Sequence, residues 1–199
     1  VVLHNRQALA RISKNGRQDQ GVALDIETPG FRPLDSLPEL STATTELVAL
    51  DHITNPANVG MIIRTLAASP MAGVIMPRHG GAWIDPLVIK ASAGAVFRAT
   101  IYHCDALESG LLAMKAAGFR ILGLAAGGRQ AISTVPLGKN IFVLGNETEG
   151  LSSNVRACCD DLVSIPLKND VESLNVSIAA SIVAFRSIFA GHHADAGIN

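Results

Sequence analysis

Aromatic residues are scarce in this chain: its 199 residues include six Phe, one Tyr and one Trp, 4% of the total. Since 48% of the residues are hydrophobic, the core has to be built from Val, Ile, Leu and Ala. That mix excludes a disordered chain and suits strands buried on both faces beneath helices rich in small residues. Cysteine is scarce as well. Cys104, Cys158 and Cys159 form an odd set with an adjacent pair, which is neither a disulfide framework nor a zinc-site spacing, so no metal is expected. A reducing compartment is the simplest reading, hence a cytoplasmic protein. Charge of neither sign dominates: 16 Lys and Arg oppose 17 Asp and Glu. Composition therefore announces no nucleic-acid partner, and any basic patch has to be local. No apolar run reaches the roughly 18–20 residues of a membrane span. The nearest, VESLNVSIAASIVAF (171–185), contains Ser173, Asn175, Ser177 and Ser181. The start, VVLHNRQALARISKNGR, has no apolar signal-peptide core, and its first residue is Val rather than Met. It reads as a processed or trimmed chain without a leader. Neither GxGxxG nor a Walker A loop occurs, so the common nucleotide-binding signatures are missing.

What is there is a rhythm. The length admits one α/β domain and an appendage. Residues 1–45 are polar and broken by Asn15-Gly16, Pro29-Gly30, Pro33 and Pro38, which reads as an N-terminal extension ending in a linker at 41–45. GVALDIE (21–27) fits one strand. From Glu46 onward, strands are expected at 47–51, 72–77, 99–104, 120–126, 140–145 and 162–167. Helices are expected at 58–68, 84–97 (interrupted near its end), 106–117, 152–159 and 173–190. This alternation predicts an α/β fold with a parallel sheet flanked by helices. In such sheets ligands bind beyond the carboxyl ends of the strands.

Three loops there are unusual. DHITNPANVGMIIRTL (51–66) holds an Asn-Pro turn, Asn58 as a helix cap, and Arg64 six residues later. An isolated helical Arg is usually solvated, but its planar cation also suits a phosphate or ribose. GNETEGLS (145–152) places two glycines and two glutamates between a strand and a cap at Ser152, a backbone open to close approach. An ordinary turn would carry the same residues. IPLKNDVESLN (165–175) offers Ser173 and Asn175 as caps of an apolar helix, with Asp170 and Glu172 beside them. One cap is enough for a helix; the surplus points to a ligand at its N-terminus.

In this order the three segments resemble the signature motifs of the SpoU (TrmH-type) RNA ribose 2′-O-methyltransferases of the SPOUT superfamily. The resemblance covers about residues 46–190. The first motif is similar to Asp-Pro-x-Asn-x-Gly followed by a helical Arg, with Asn55 here in place of Asp. The second is similar to GNExxGL and the third to IPMxGxxxSLNVSxAxxI; KASAGAV (90–96) resembles a further family segment. The resemblance implies a C-terminal trefoil knot, an obligate homodimer, and S-adenosyl-L-methionine as cofactor. By motif matching, the cofactor would meet Leu124, Ala125 and Ala126; Leu144, Gly145, Asn146 and Gly150; and Ile165, Leu167, Ser173 and Leu174. DQGVALDI (19–26) resembles the end of an L30e-like RNA-binding domain, with Asp19 replacing a His. Residues 1–45 are then a remnant of that domain plus linker, and 46–199 the SPOUT methyltransferase domain.

The implied reaction is attack of a ribose 2′-oxygen on a sulfonium methyl, which needs alignment and a route for the hydroxyl proton. Family precedent gives Arg64 the base-type role, although a guanidinium rarely loses its proton. The alternatives for it are to fix a neighbouring phosphate that accepts the proton, or to stabilise a developing alkoxide. Asn58, Glu147, Ser173 and Asn175 are the candidates for orienting Arg64 and the ribose, and Glu147 is the fallback base. The acceptor is a tRNA or an rRNA. Its phosphates would be met by a local set drawn from Arg6, Arg11, Lys14, Arg17, Arg64, Arg78 and Lys90. Two alternatives stand beside this reading: a SPOUT enzyme methylating a base nitrogen, and a non-catalytic RNA-binding protein of the same fold. An unrelated, well-capped α/β binding domain is a third.

Overall fold

The computed structural model describes residues 1–13, 21–24, 30–81 and 83–190, the side chains of 189 and 190 excepted. The chain divides into two compact units, 1–30 and 31–199. In the smaller, helix α1 (Arg6–Ser13) starts under an Asn5 cap, whose Oδ1 accepts from the Ala8 amide at 2.8 Å. Of the strand expected at 21–27, residues 21–24 form a turn and coil, and 25–27 lie outside the described residues.

Among the described residues the larger unit is built on eight strands: β1 (Arg32–Pro33), β2 (Glu46–Leu50), β3 (Gly73–Pro77), β4 (Ile101–Cys104), β5 (Arg120–Leu124), β6 (Gln130–Ala131), β7 (Asn140–Leu144) and β8 (Asp161–Ser164). They form one sheet in the order β1-β4-β3-β2-β7-β5-β8-β6, and every pairing is parallel. Strand order reverses between β2 and β7.

Alternation along each strand splits the core in two. On one face Val48, Leu50, Val74, Phe142, Leu144 and Val163 meet α3 (Pro56–Ala67), α4 (Pro86–Ala91) and α7 (Val176–Ala190). On the other, Leu47, Ala49, Ile75, Ile121, Ile141 and Val143 meet α5 (Leu107–Ala116) and α6 (Ser153–Cys158). Gly60 of α3 packs so closely on α4 that a Cβ there would lie 2.4 Å from the Ala91 Cβ. That contact ties the NPANVG segment to KASAGAV.

The linker expected at 41–45 belongs to the larger unit, as do residues 31–40. Leu34 and Leu37, the latter in the short helix α2 (Leu37–Leu40), are buried against Leu107, Leu111 and their neighbours. The interruption foreseen in 84–97 falls at Ala93 and Gly94, both at positive φ, after which Ala95–Phe97 makes a 3-10 turn. The last strand is shorter than 162–167: pairing stops at Ser164, because Pro166 has no amide to continue it.

One buried ion pair fastens α7 to the sheet. Arg186 donates to Glu46 and to the Val135 carbonyl (2.7 Å), and its guanidinium lies 4.8 Å from the Phe142 ring centroid. Asn140 Nδ2 donates to the same Glu46 oxygen at 2.6 Å. Among the described residues no helix is long and apolar enough to cross a membrane.

Candidate active site

The loops after β5, β7 and β8 converge at the carboxyl edge of the sheet around a cavity of about 480 Å³. Leu124, Ala125 and Ala126 line it from the end of β5. Leu144, Gly145, Asn146 and Gly150 line it from β7 and its loop. Ile165, Leu167, Ser173 and Leu174 line it from the segment after β8. Every residue matched to the cofactor thus faces one space. Val176 and Ala179 of α7, with Glu147, Thr148, Glu149 and Glu172, complete the wall.

The second motif holds its shape through a small set of bonds. Asn146 and Gly150 exchange both backbone hydrogen bonds at 2.9 Å. The Asn146 side chain accepts from the Thr148 and Glu149 amides and donates to the His52 carbonyl at 2.9 Å. Gly150 has φ +71°, and a Cβ on Gly145 would lie 2.3 Å from the Gly150 carbonyl carbon. A side chain at Gly145 would force the loop open, and one at Gly150 would strain its positive φ. Below it, buried Asp51 accepts from the Ser152 amide at 2.7 Å, its hydroxyl at 3.2 Å, and bonds His52 Nδ1 at 2.7 Å. Ser152 stands at the N-cap of α6 as expected, but its side chain serves Asp51 instead of the helix.

Three of the five catalytic candidates form one chain of hydrogen bonds. Asn58 Nδ2 donates to Glu147 Oε1 at 2.5 Å, and Asn58 Oδ1 accepts from Asn175 Nδ2 at 3.2 Å. Asn175 Oδ1 accepts from the Ser177 amide (2.8 Å) and hydroxyl (2.6 Å), so Asn175 caps α7. Asn58 does not cap α3. Asn55 does, accepting from the Ala57 amide at 2.9 Å ahead of Pro56. Asn58, at 6% exposure, is released to link the first motif to the second and third. Ser173 lies before α7, not in it, and lines the cavity.

Arg64 stands apart. It is exposed on α3, does not line the cavity, and makes no hydrogen bond or ion pair with a described residue. Of the other cations expected to meet RNA, Arg6 and Arg11 lie in the smaller unit, Arg78 and Lys90 in the larger, and Lys14 and Arg17 outside the described residues. Asp51 and His52 were missed as site residues. Their only sequence signal is polar residues immediately after a buried strand.

The fold has known counterparts. The SpoU methyltransferase AviRb of Streptomyces viridochromogenes, solved in complex with the cofactor AdoMet, matches with a TM-score of 0.72 and 27% identity over 82% of this chain and 66% of its own. An AdoMet-bound rRNA methyltransferase of Sinorhizobium meliloti matches at TM-score 0.69 and 26% identity, covering 82% of this chain and 61% of that one. An uncharacterized tRNA/rRNA methyltransferase of Mycolicibacterium gilvum is 37% identical over 182 residues, 89% of this chain. The chain spans 58% of that relative's length. The family model of the SpoU rRNA methylases matches residues 46–185, the span that carries all three loops and the cavity between them. The chain belongs to the SpoU rRNA methylase family.

Proposed function

We propose that this chain is an S-adenosyl-L-methionine-dependent RNA methyltransferase that modifies a ribose 2′-hydroxyl of transfer or ribosomal RNA. The observation that carries this reading is the Asn175–Asn58–Glu147 chain, which runs from the start of α7 to the wall of the cavity.

The cavity suits the cofactor. Its volume of about 480 Å³ falls within the usual range for small-molecule sites. Glu147, Glu149 and Glu172 line it, and no Lys or Arg does among the described residues. Such a wall repels a di- or triphosphate and favours a positively charged ligand without phosphate. S-adenosylmethionine, when bound, supplies a methyl group on a cationic sulfonium. Leu124, Ile165 and Leu167 offer apolar cover to its base, and the carboxylates offer partners to its positive groups.

The residues of the chain then divide the remaining tasks. Ser173 and Asn175 orient the ribose from the N-terminal end of α7. Asn58 fixes the Glu147 carboxylate, which takes the proton as the 2′-oxygen gains the methyl. Arg64 keeps its proton and holds an RNA phosphate or the developing alkoxide. Its separation from the cavity favours a homodimer. Met61, Ile178 and Ile182 are exposed on the α3/α7 face that carries Arg64, where Thr65 and Ser181 approach to 3.5 Å. A second copy docked there would cover these side chains and enclose Arg64 at the shared entrance of the RNA.

The same reading makes the segment after β8 the threaded part of a trefoil knot. In support, β8 lies between β5 and β6, so residues 125–129 must cross its carboxyl end. The Ala125 amide donates to the Val163 carbonyl at 2.9 Å, and Ser164 Oγ donates to the Gly128 carbonyl at 3.2 Å.

Calorimetry tests the cofactor assignment. S-adenosylmethionine should bind and ATP should not; ATP binding of comparable strength would contradict the proposal.

A further inference from the structure

Near the carboxyl ends of β3 and β4, and just before β1, lie side chains that the cavity does not use. Phe31 packs on Trp83 with ring centroids 5.4 Å apart, and edge-on against His103 at 5.5 Å. His103 Nε2 lies 2.5 Å from Arg78 Nη2. Arginine only donates, so Nε2 accepts and the ring proton sits on Nδ1. Arg78 Nε also meets Asp105 at 3.4 Å, and its Nη1 has no partner among the described residues. Trp83 is the chain's single Trp and is 57% exposed. A rigid indole held by a neighbouring ring, with much of its surface in water, is a ready stacking face.

This cluster is joined to the cavity. The His52 carbonyl accepts from Asn146 of the cavity wall at 2.9 Å. The His52 ring lies against Gly80, where a Cβ would be 3.0 Å from Nε2, in the loop between Arg78 and Trp83. β4 stands three strands from β7 across the strand-order reversal, about 14 Å at the usual interstrand spacing. A single RNA strand can reach both.

We propose that Trp83, backed by Phe31 and flanked by Arg78, is a docking platform for an unpaired nucleotide of the RNA substrate. The base stacks on the indole and Arg78 takes the adjoining phosphate. The inference rests on the reading of the chain as an RNA methyltransferase and adds where the RNA lies beyond the reacting nucleotide. Aromatic stacking beside a cation is the usual recipe for unpaired nucleic acid. The Arg78–Asp105 pair is 51% and 86% exposed at its two side chains, so it contributes little and exchanges readily for a phosphate. With 16 basic residues against 17 acidic, RNA contacts have to come from local groupings of this kind.

Fluorescence of the single Trp reads the platform directly. Single-stranded oligouridylate or unmodified tRNA added to the full chain should quench Trp83. Trp83→Ala should weaken RNA binding roughly 5- to 150-fold, the range for loss of one base stack. Trp83→Phe should restore most of it, with S-adenosylmethionine affinity and melting temperature unchanged in both. Arg78→Gln should weaken binding and lower the salt slope by about one ion. RNA binding that is unchanged in Trp83→Ala, without quenching in the parent, would overturn the platform. So would a Trp83 that acrylamide cannot reach in the free protein, since another segment or a second copy would then cover it. A parent chain that binds cofactor but no RNA also removes the platform, leaving the cofactor reading intact. Quenching RNA binding without methyl transfer keeps the platform and removes the methyltransferase reading.

Discussion

Asn58 uses both ends of its amide on other motifs, donating to Glu147 and accepting from Asn175. Replacing it by Ala leaves Glu147 without that donor and Asn175 Nδ2 without that acceptor. Asn58→Ala should lower kcat for methyl transfer by about 100-fold, the scale of a small misplacement of aligned groups, and leave cofactor affinity within a few-fold by calorimetry. Arg64→Ala should abolish transfer with cofactor binding nearly intact; equal loss of both would contradict its assigned role. At this scale the sequence was partly legible. Asn58 and Asn175 stood out as polar residues at helix starts, but the cap of α3 was assigned to Asn58 although the Pro within NPAN already favoured Asn55. Pro56 at the first helical position settles it, because that position favours Pro and places the cap at Asn55. Asp51 escaped notice because an Asp after a strand looks solvated until its 1% exposure and its bonds to Ser152 are seen.

Elements are held by two charged clusters of different burial. Arg186 and Glu46 are buried, and removing one partner strands the other. Arg186→Ala should cost about 3–5 kcal/mol, a fall in Tm of roughly ten degrees; calorimetric melting that shows no shift would contradict the pairing. Asp160, between α6 and β8, is more open. Burial alone would raise its pKa, but the Ile121 amide (2.8 Å) and Lys115 (2.7 Å) outweigh it and hold the carboxyl below its ordinary value of 3.8. A lowered carboxylate pKa adds stability above the ordinary value, lost as pH falls through the folded one. Asp160→Asn should therefore melt lower than the parent at neutral pH, and the two melting curves should converge in acid below 3.8. The long elements were legible because burial on both faces writes apolar runs into strands and a 3.6-residue spacing into α3. β1 and β6 have two residues each and no period to read. Leu34 and Leu37 are buried in a cluster with residues of β4 and α5 far along the chain, which local sequence does not express.

For the whole molecule, strand order was beyond local patterns. Periodicity shows that strands alternate with helices, not that β8 enters between β5 and β6. The exposed α3/α7 face is likewise a property of packed helices: α7 is apolar nearly all round, yet Ile178 is 53% and Ile182 37% exposed. A helix of that kind needs cover on this side too. The parent chain should sediment as a dimer. Ile182→Glu should shift it toward monomer and lower methyl transfer while cofactor still binds. A parent that is monomeric at all concentrations would contradict the dimer.

The most direct measurement of the central claim follows labelled S-adenosylmethionine into RNA. The chain is incubated separately with unmodified transfer RNA and ribosomal RNA, and each pool is digested completely to nucleosides. A labelled 2′-O-methyl nucleoside from one pool is the predicted result. A label on a base, or no label in RNA from a chain that binds the cofactor, would contradict the account.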